Sequence, residues 1–196
     1  MSPGVTFERV YNELKRMLTE GELPPGMPIE PAIIGRQISS SITPVRDALH
    51  RLTGERLVEA PNHNGFRVPL PTEAALRDLY RWNGQLLGLA VKSIRTGMPD
   101  IAVITVPNVH IAVATAEFFL RIAQESRSGE QADAVARLNA RLGPYRLREK
   151  GLLEGLQAEL EHLSAAGGSP ARLAKGITAY HRRRIKAVPD ILRYGG

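Results

Sequence analysis

The stretch Ser41-Ile42-Thr43-Pro44-Val45-Arg46-Asp47-Ala48-Leu49-His50-Arg51-Leu52 constrains this chain more than any other. Pro44 suits the first turn of a helix, where its missing N–H is not needed. Thr43 or Ser41 can cap that turn with a hydroxyl. Val45, Ala48, Leu49 and Leu52 recur at helical spacing and predict a buried face. Thr43, Arg46, Asp47 and His50 fall on the opposite face, near the helix start. Alone, the pattern fits an ordinary amphipathic surface helix as well as a helix that reads DNA in the major groove.

The flanking residues decide between the two. Thr6 is placed to cap a first helix running to about Glu20, with Val10, Leu14, Met17 and Leu18 as its apolar stripe and Gly21 at its end. Leu23-Pro24-Pro25-Gly26 reads as a turn, and Met27-Pro28-Ile29 as a short edge strand. A second helix is expected from Pro31 to Ile38, with Ser39-Ser40-Ser41 as the turn into the third. Two strand-like runs follow, Leu57-Val58-Glu59-Ala60 and Phe66-Arg67-Val68, joined by Pro61-Asn62-His63-Asn64-Gly65. Asn64-Gly65 signals a hairpin, because both residues tolerate positive φ. Three helices and then a hairpin is the order of a winged helix-turn-helix. The hairpin tip would carry His63 and Asn64 beside the third helix, with Arg67 on the following strand.

Val10-Tyr11 through Leu70 resembles the DNA-binding domain of the GntR family of bacterial transcription regulators. The matching residues include Gly21-Glu22-Leu23-Pro24-Pro25-Gly26, Thr43-Pro44-Val45-Arg46-Asp47-Ala48-Leu49, Leu52, Leu57-Val58 and Asn64-Gly65. The resemblance implies a homodimer on double-stranded DNA, at a pseudo-palindromic operator. It makes Arg46 the leading DNA contact. Arg36 is a candidate phosphate contact or a solvated surface charge. Ser41, Thr43, Pro44, Asp47, His50, His63, Asn64, Gly65 and Arg67 complete the expected DNA-binding set. For His63 the alternative is a solvated loop histidine. For Arg67 the expectation is a backbone contact or an exposed strand residue, without base specificity. Two departures stand out. The family usually has an Arg directly after the Ser that precedes Thr-Pro, where this chain has Ile42. The second helix commonly ends in a Leu-Gly-Val type turn, where this chain reads Ile38-Ser39-Ser40. Loss of a base-reading Arg removes about 1–3 kcal/mol of discrimination.

Charge cuts across this reading. The formal net charge is +6, which favours an anionic partner. Yet residues 1–71 hold eight basic and eight acidic side chains, and residues 72–196 hold eighteen and twelve. The expected DNA-binding domain, 1–71, is therefore neutral, and the second domain, 72–196, carries the excess. There is no cysteine, which removes disulfides and thiolate zinc sites. No apolar run is long enough for a membrane span, and the N-terminus lacks an apolar signal core; a cytoplasmic location is the expectation.

The second domain reads as a helical bundle, so the fold expected is mainly α: a winged helix-turn-helix followed by an all-α bundle. Pro69-Leu70-Pro71 is a stiff linker and Thr72 caps a helix to about residue 95, ended by Gly97 and Pro99. The β-branched stretch Ile101–Pro107 reads as irregular or short extended structure. Further helices are expected at 108–127, 131–142, 144–165 and 170–187, with a short one at the C-terminus. This layout is similar to the effector domain of the FadR-like GntR subfamily, in reduced form; Leu79-Tyr80 and Tyr180-His181-Arg182-Arg183-Arg184 fit it. That resemblance implies a site for small carboxylic acids and, in many members, a metal held by one Asp and three His. The Phe-His pair that usually marks the metal set is missing around 133–150, and His110, His162 and His181 fall on separate expected helices. No metal and no cofactor is expected. Arg146, His181 and Arg182 are the candidates for a small anionic effector, against the alternative of a solvated helix end. An enzyme is not expected. No Ser/His/acid arrangement or phosphate loop is present; Gly26 and Gly35 do not form one, and Gly84 and Gly88, inside an expected helix, suggest close helix packing. The competing reading is an interaction module whose winged helix no longer reads specific DNA, favoured by Ile42 and the neutral domain.

Overall fold

The computed structural model describes residues 3–61, 65–94 and 110–194. Its contacts divide the chain into two compact units, Met1–Leu70 and Pro71–Gly196.

The first unit holds α1 (Pro3–Thr19), β1 (Pro28–Ile29), α2 (Pro31–Gln37), α3 (Ile42–Gly54) and β2 (Phe66–Arg67). α1 begins before Thr6, which lies inside the helix rather than at its cap. Gly21, at φ +80°, turns the chain out of α1, and the Leu23 N–H closes that end on the Met17 carbonyl at 3.2 Å. Val10, Leu14, Met17 and Leu18 are buried against Val45, Ala48, Leu49 and Leu52 of α3. β1 pairs antiparallel with β2. The expected strand at 57–60 shrinks to one bridge, Glu59 to Arg67, with N···O distances of 2.8 and 2.9 Å. The reason is that Leu57 and Val58 are both buried, so the segment does not alternate as a pleated strand must.

The second unit is a bundle of α4 (Glu73–Ser93), α5 (Ile111–Glu125), α6 (Gly129–Glu149), α7 (Leu156–Ala165) and α8 (Pro170–Arg193). Side-chain caps open four of these helices: Thr72, His110, Ser128 and Ser169 accept from the N–H of Ala75, Ala112, Gln131 and Arg172. Two expected breaks do not occur. Pro144 lies inside α6 and Pro189 inside α8. Each costs its helix one i→i−4 bond, but the buried faces run on through both prolines: Leu142, Tyr145 and Glu149 in α6, Val188 and Ile191 in α8. The chain breaks after Glu149 instead, where Gly155 takes φ +66°. Gly84 lets α8 approach α4, since a Cβ there would stand 3.0 Å from the His181 ring; a Cβ on Gly88 would meet nothing within 4 Å. The stretch 101–107, with Gly97 and Pro99, lies outside the described residues. Among the described residues, no helix is long and apolar enough to cross a membrane.

Candidate nucleic-acid interface and a buried polar cluster

The turn between α2 and α3 is tight. The Ser40 N–H donates to the Gly35 carbonyl at 2.8 Å, and a Cβ on Gly35 would fall 2.8 Å from the Ser40 carbonyl oxygen. Only glycine lets the chain double back here. Ser39 takes φ +52°, so a serine occupies the left-handed position that the family-type turn gives to glycine. Arg9 of α1 reaches over and donates to the carbonyls of Ile38 and Ser39, at 2.9 and 3.3 Å. Its charge faces the carbonyl-rich end of α2, where a cation is favoured.

α3 starts at Ile42, with Ser41 at the cap position but no hydroxyl bond to the helix. A cap hydroxyl bonds the N–H of the second or third residue, and the third here is Pro44, which has none. The proline thus removes one of the two possible partners, and Ser41 does not bond the other, the N–H of Thr43, either. Val45, Ala48, Leu49 and Leu52 face inward. Ser41, Thr43, Arg46, Asp47 and His50 are exposed and Pro44 is half-buried. Ile42 is 49% exposed, an apolar side chain on an otherwise polar face. The His50 ring lies edge-on to Phe66 of β2, with centroids 5.0 Å apart. Besides presenting a polar edge, His50 is thus a strut between α3 and the wing. Gly65, at φ +91°, leads into that strand. His63 and Asn64 lie outside the described residues.

The ion pairs explain how a neutral unit leaves exposed arginines without a partner. Arg16 pairs with Glu13, Glu20 and Glu22; Lys15 pairs with Glu55; Arg51 pairs with Glu8 and Glu55. Five of the unit's eight acidic side chains are taken up there, along α1, in the turn that follows it and at the end of α3. Glu55 is held below the usual carboxylate range: burial pushes it up, and hydrogen bonds from Lys15 and Tyr11 outweigh that. Among the described residues Arg36 and Arg46 form no ion pair, and both are exposed. Arg67 is paired with Glu59 at 2.9 Å on the surface. Such exposed pairs are worth about 0–1 kcal/mol, so Arg67 can exchange this partner for a phosphate at little cost.

In the second unit the three effector candidates separate. Arg182 is exposed. Arg146 and His181 are buried and meet on one acceptor. The Arg146 Nη2 donates to Asn83 Oδ1 at 3.3 Å, and His181 Nε2 lies 2.9 Å from the same oxygen. Arg146 also donates to Asn139 Oδ1 at 2.9 Å. His181 Nδ1 lies 2.8 Å from the Ile177 carbonyl. Burial, reinforced by Arg146 and Arg184, pushes the ring down to about 3, against the raising effect of the Ile177 bond. It is therefore neutral, with one N–H for two oxygen acceptors. Beside it Glu149 accepts from Tyr80 Oη at 2.8 Å and from Arg184 Nε at 3.0 Å. Burial raises Glu149, with Arg184 and Arg146 opposing. Arg184 reaches Glu159 at 2.6 Å and lies 3.5 Å over the Tyr180 ring. Arg184, two residues beyond Arg182 in the same basic run, is 2% exposed, so the alternative of a solvated helix end does not hold for it.

Asn83, Glu149 and Arg184 were missed by sequence reasoning, although a signal existed. Each stands on the apolar stripe of its helix, as Asn83 does between Tyr80 and Leu87. A polar residue in register with a buried face must be hydrogen-bonded. The remaining histidines do not converge: His162 is exposed, and His110 caps α5, its Nδ1 accepting from Ala112 at 3.2 Å. Among the described residues no group of three or more His, Cys, Asp or Glu could hold a metal.

Residues 6–68 match the family described as "Bacterial regulatory proteins, gntR family". Two curated relatives are each similar over less than half of the chain. The uncharacterized HTH-type transcriptional regulator YdhC of Bacillus subtilis is 28% identical over 92 residues, 47% of this chain and 41% of that protein. The HTH-type transcriptional regulator McbR of Escherichia coli is 34% identical over 83 residues, 42% of this chain and 38% of that protein. The chain thus matches about two fifths of the length of either relative. Both are described as HTH-type transcriptional regulators. Among solved structures, E. coli McbR/YncC superposes with a TM-score of 0.76 at 22% identity, covering 94% of this chain and 97% of that one. A GntR transcriptional regulator from Rhodococcus sp. RHA1 gives 0.74 at 18% identity, with the same coverage. The fold is that of these structures: an N-terminal helix-turn-helix unit followed by a helical unit.

Proposed function

We propose that this chain, whose residues 6–68 match the gntR family, is a sequence-specific transcriptional regulator, FadR-like in layout, that binds double-stranded DNA. In this reading it is a homodimer on a pseudo-palindromic operator and acts as a repressor. The observation that carries the proposal is the outer face of α3. Arg46 stands there exposed and without an ion pair, beside Thr43, Asp47 and a His50 braced on the wing. Arg46 reads base edges, as an unpaired guanidinium at a helix N-terminus can. Arg36 and Arg67 hold the backbone. One observation favours the competing reading, an interaction module without specific DNA binding: Ile42 exposes an apolar side chain where the family-type helix carries a cation.

Selection of bound sequences from random duplex DNA, with wild type and Arg46→Ala, separates the two. A two-fold-symmetric motif that the variant loses supports the regulator. No enriched motif, with only salt-sensitive background binding, supports the module.

The proposal extends to a small anionic effector in the bundle. Asn83 Nδ2, Arg146 Nε and Tyr180 Oη are buried donors without a hydrogen-bond partner among the described residues. Arg146 and Tyr180 line a small pocket together with Thr115, Glu149 and Arg184. Unmatched buried donors suit an oxyanion, because each costs about 1–3 kcal/mol while unpaired. The cavity beside Arg146 and Tyr180 measures about 10 Å³, room for no more than one water, so it must widen to admit a carboxylate. A panel of small mono- and dicarboxylates, screened for a rise in Tm, tests this. A rise that shrinks in Tyr180→Phe supports the effector site; no rise with any acid overturns it.

A further inference from the structure

α4 carries a second face that the core of its own unit does not use. Trp82 and Leu89 are 49% and 51% exposed. They stand two turns apart with Gln85, also exposed, between them. Asp78 and Lys92, both exposed, extend the line in each direction. The series Asp78, Trp82, Gln85, Leu89, Lys92 advances by four, three, four and three residues, the spacing of a seam between two packed helices. Gly88 adjoins that seam. A glycine in mid-helix costs about 1 kcal/mol relative to alanine. Gly84 has its reason in the His181 ring packed on it, whereas a Cβ on Gly88 would meet nothing within 4 Å. Among the described residues no contact accounts for Gly88, and the space above it admits a large side chain from outside.

We infer that this face of α4 is where two copies of the chain pair, with the helices antiparallel and a two-fold axis passing at Gln85. Asp78 and Lys92 are equidistant from Gln85. The antiparallel arrangement therefore sets acid against base twice, whereas a parallel one sets like charges together. Trp82 and Gly88 are also equidistant from Gln85, so each indole covers the other copy's Gly88. Two unrelated pairings, one of charge and one of shape, share one midpoint. Leu89 then falls opposite Arg81, whose methylene stem it covers. Asp78 already pairs with Arg81 in its own helix, but at 72% side-chain exposure that pair is weak and leaves the carboxylate available. The inference rests on the homodimer proposed above, and adds to it a surface and an orientation.

The absence of cysteine permits a direct test in the full-length chain. In Gln85→Cys the new thiols meet their own copies across the axis, and mild oxidation converts the protein to a disulfide-linked dimer. In Asp78→Cys the two thiols lie fourteen residues apart along the paired helices, about 21 Å. That is beyond the roughly 7 Å Cα separation that a disulfide spans, so this variant stays single on a non-reducing gel. Light scattering of the wild type gives twice the 21.5 kDa chain mass. The double variant Trp82→Glu/Leu89→Glu, with unchanged far-UV circular dichroism, dissociates at least about 100-fold more readily, as expected for two central apolar anchors. A wild type of single-chain mass at tens of micromolar overturns the proposed homodimer and this surface with it. A dimeric wild type in which Gln85→Cys does not cross-link, or Asp78→Cys cross-links equally well, overturns the surface and leaves the homodimer standing.

Discussion

In the N-terminal unit, arginines lie on the surface and the question is which of them lack a partner. In the bundle, two arginines lie in the core and every neighbour is arranged around them. The N-terminal unit has no net formal charge, yet it exposes Arg36 and Arg46 without an ion pair among the described residues, because Arg16, Lys15 and Arg51 take up most of its carboxylates elsewhere. The bundle carries the whole excess of positive charge, yet Arg146 and Arg184 are 1% and 2% exposed and offer no guanidinium to the surface. Net charge of a segment therefore says little about the potential of any one face. The sign of a face depends on which charges are consumed by partners behind it.

The comparison breaks first at Glu149. Glu149→Leu removes the more deeply buried of the two counter-charges of Arg184 and the acceptor of Tyr80 together. Breaking a buried pair from one side costs about 3–5 kcal/mol, read as a fall in the urea midpoint. Glu13→Leu, which removes a surface partner of Arg16, costs less than about 1 kcal/mol by the same measurement. Equal losses would mean that the bundle's charges are solvated after all. Arg46→Ala reverses the pattern. Its stability stays within about 0.5 kcal/mol of wild type, while operator affinity falls by about 1–3 kcal/mol, some ten- to a hundredfold. A stability loss larger than the binding loss would remove Arg46 from the DNA-reading role.

His181 sharpens the comparison through pH. Its ring stays neutral in the folded chain down to about 3, against an ordinary value of 6.5. Below pH 6.5 the unfolded chain binds a proton that the folded chain refuses. The stability His181 contributes is therefore whole above 6.5 and is lost as pH falls toward 3, by at most about 1.4 kcal/mol per pH unit. Glu149 acts in the opposite sense, since its raised carboxyl favours the folded chain at low pH and loses that advantage as pH rises. Urea midpoints between about pH 4 and 7 for wild type and His181→Asn isolate the histidine term. The wild-type profile should fall more steeply toward acid; parallel profiles would mean that the ring is not shielded.

Much of the first unit was legible because its signals are local. The stripe Val10–Leu14–Met17–Leu18, Pro31 at a helix start and the inward face of α3 follow from spacing and proline chemistry alone. The face around Arg46 was legible as the reverse of that stripe. His50 against Phe66 was not, since it depends on where a strand sixteen residues later comes to rest. In the bundle, Gly143-Pro144 looked like a stop, but a buried face with Leu142 and Tyr145 on both sides of the proline outweighed one lost hydrogen bond. Arg182-Arg183-Arg184 looked like one basic run. Adjacent residues on a helix point about 100° apart, so Arg184 turned inward to Glu149 while Arg182 stayed outside. Charge read by adjacency misled where charge read by helical face would have served.

The smallest effect belongs to the turn before α3. Ser39 sits at φ +52°, a conformation that costs an L-residue about 1–2 kcal/mol. Glycine would relieve that strain and would give back about 0.5–1 kcal/mol through the freedom of its unfolded chain. Ser39→Gly should therefore stabilise the protein by roughly 0.5 kcal/mol, a small upward shift of the urea midpoint. Ser39 is exposed, and its carbonyl, the group that accepts from Arg9, is kept in the variant. Operator affinity should then stay unchanged, because the turn keeps its path and α3 keeps its face. A destabilised variant would mean that the serine side chain holds the turn, and that Ser39 replaces the family-type glycine by bonding rather than by tolerated strain.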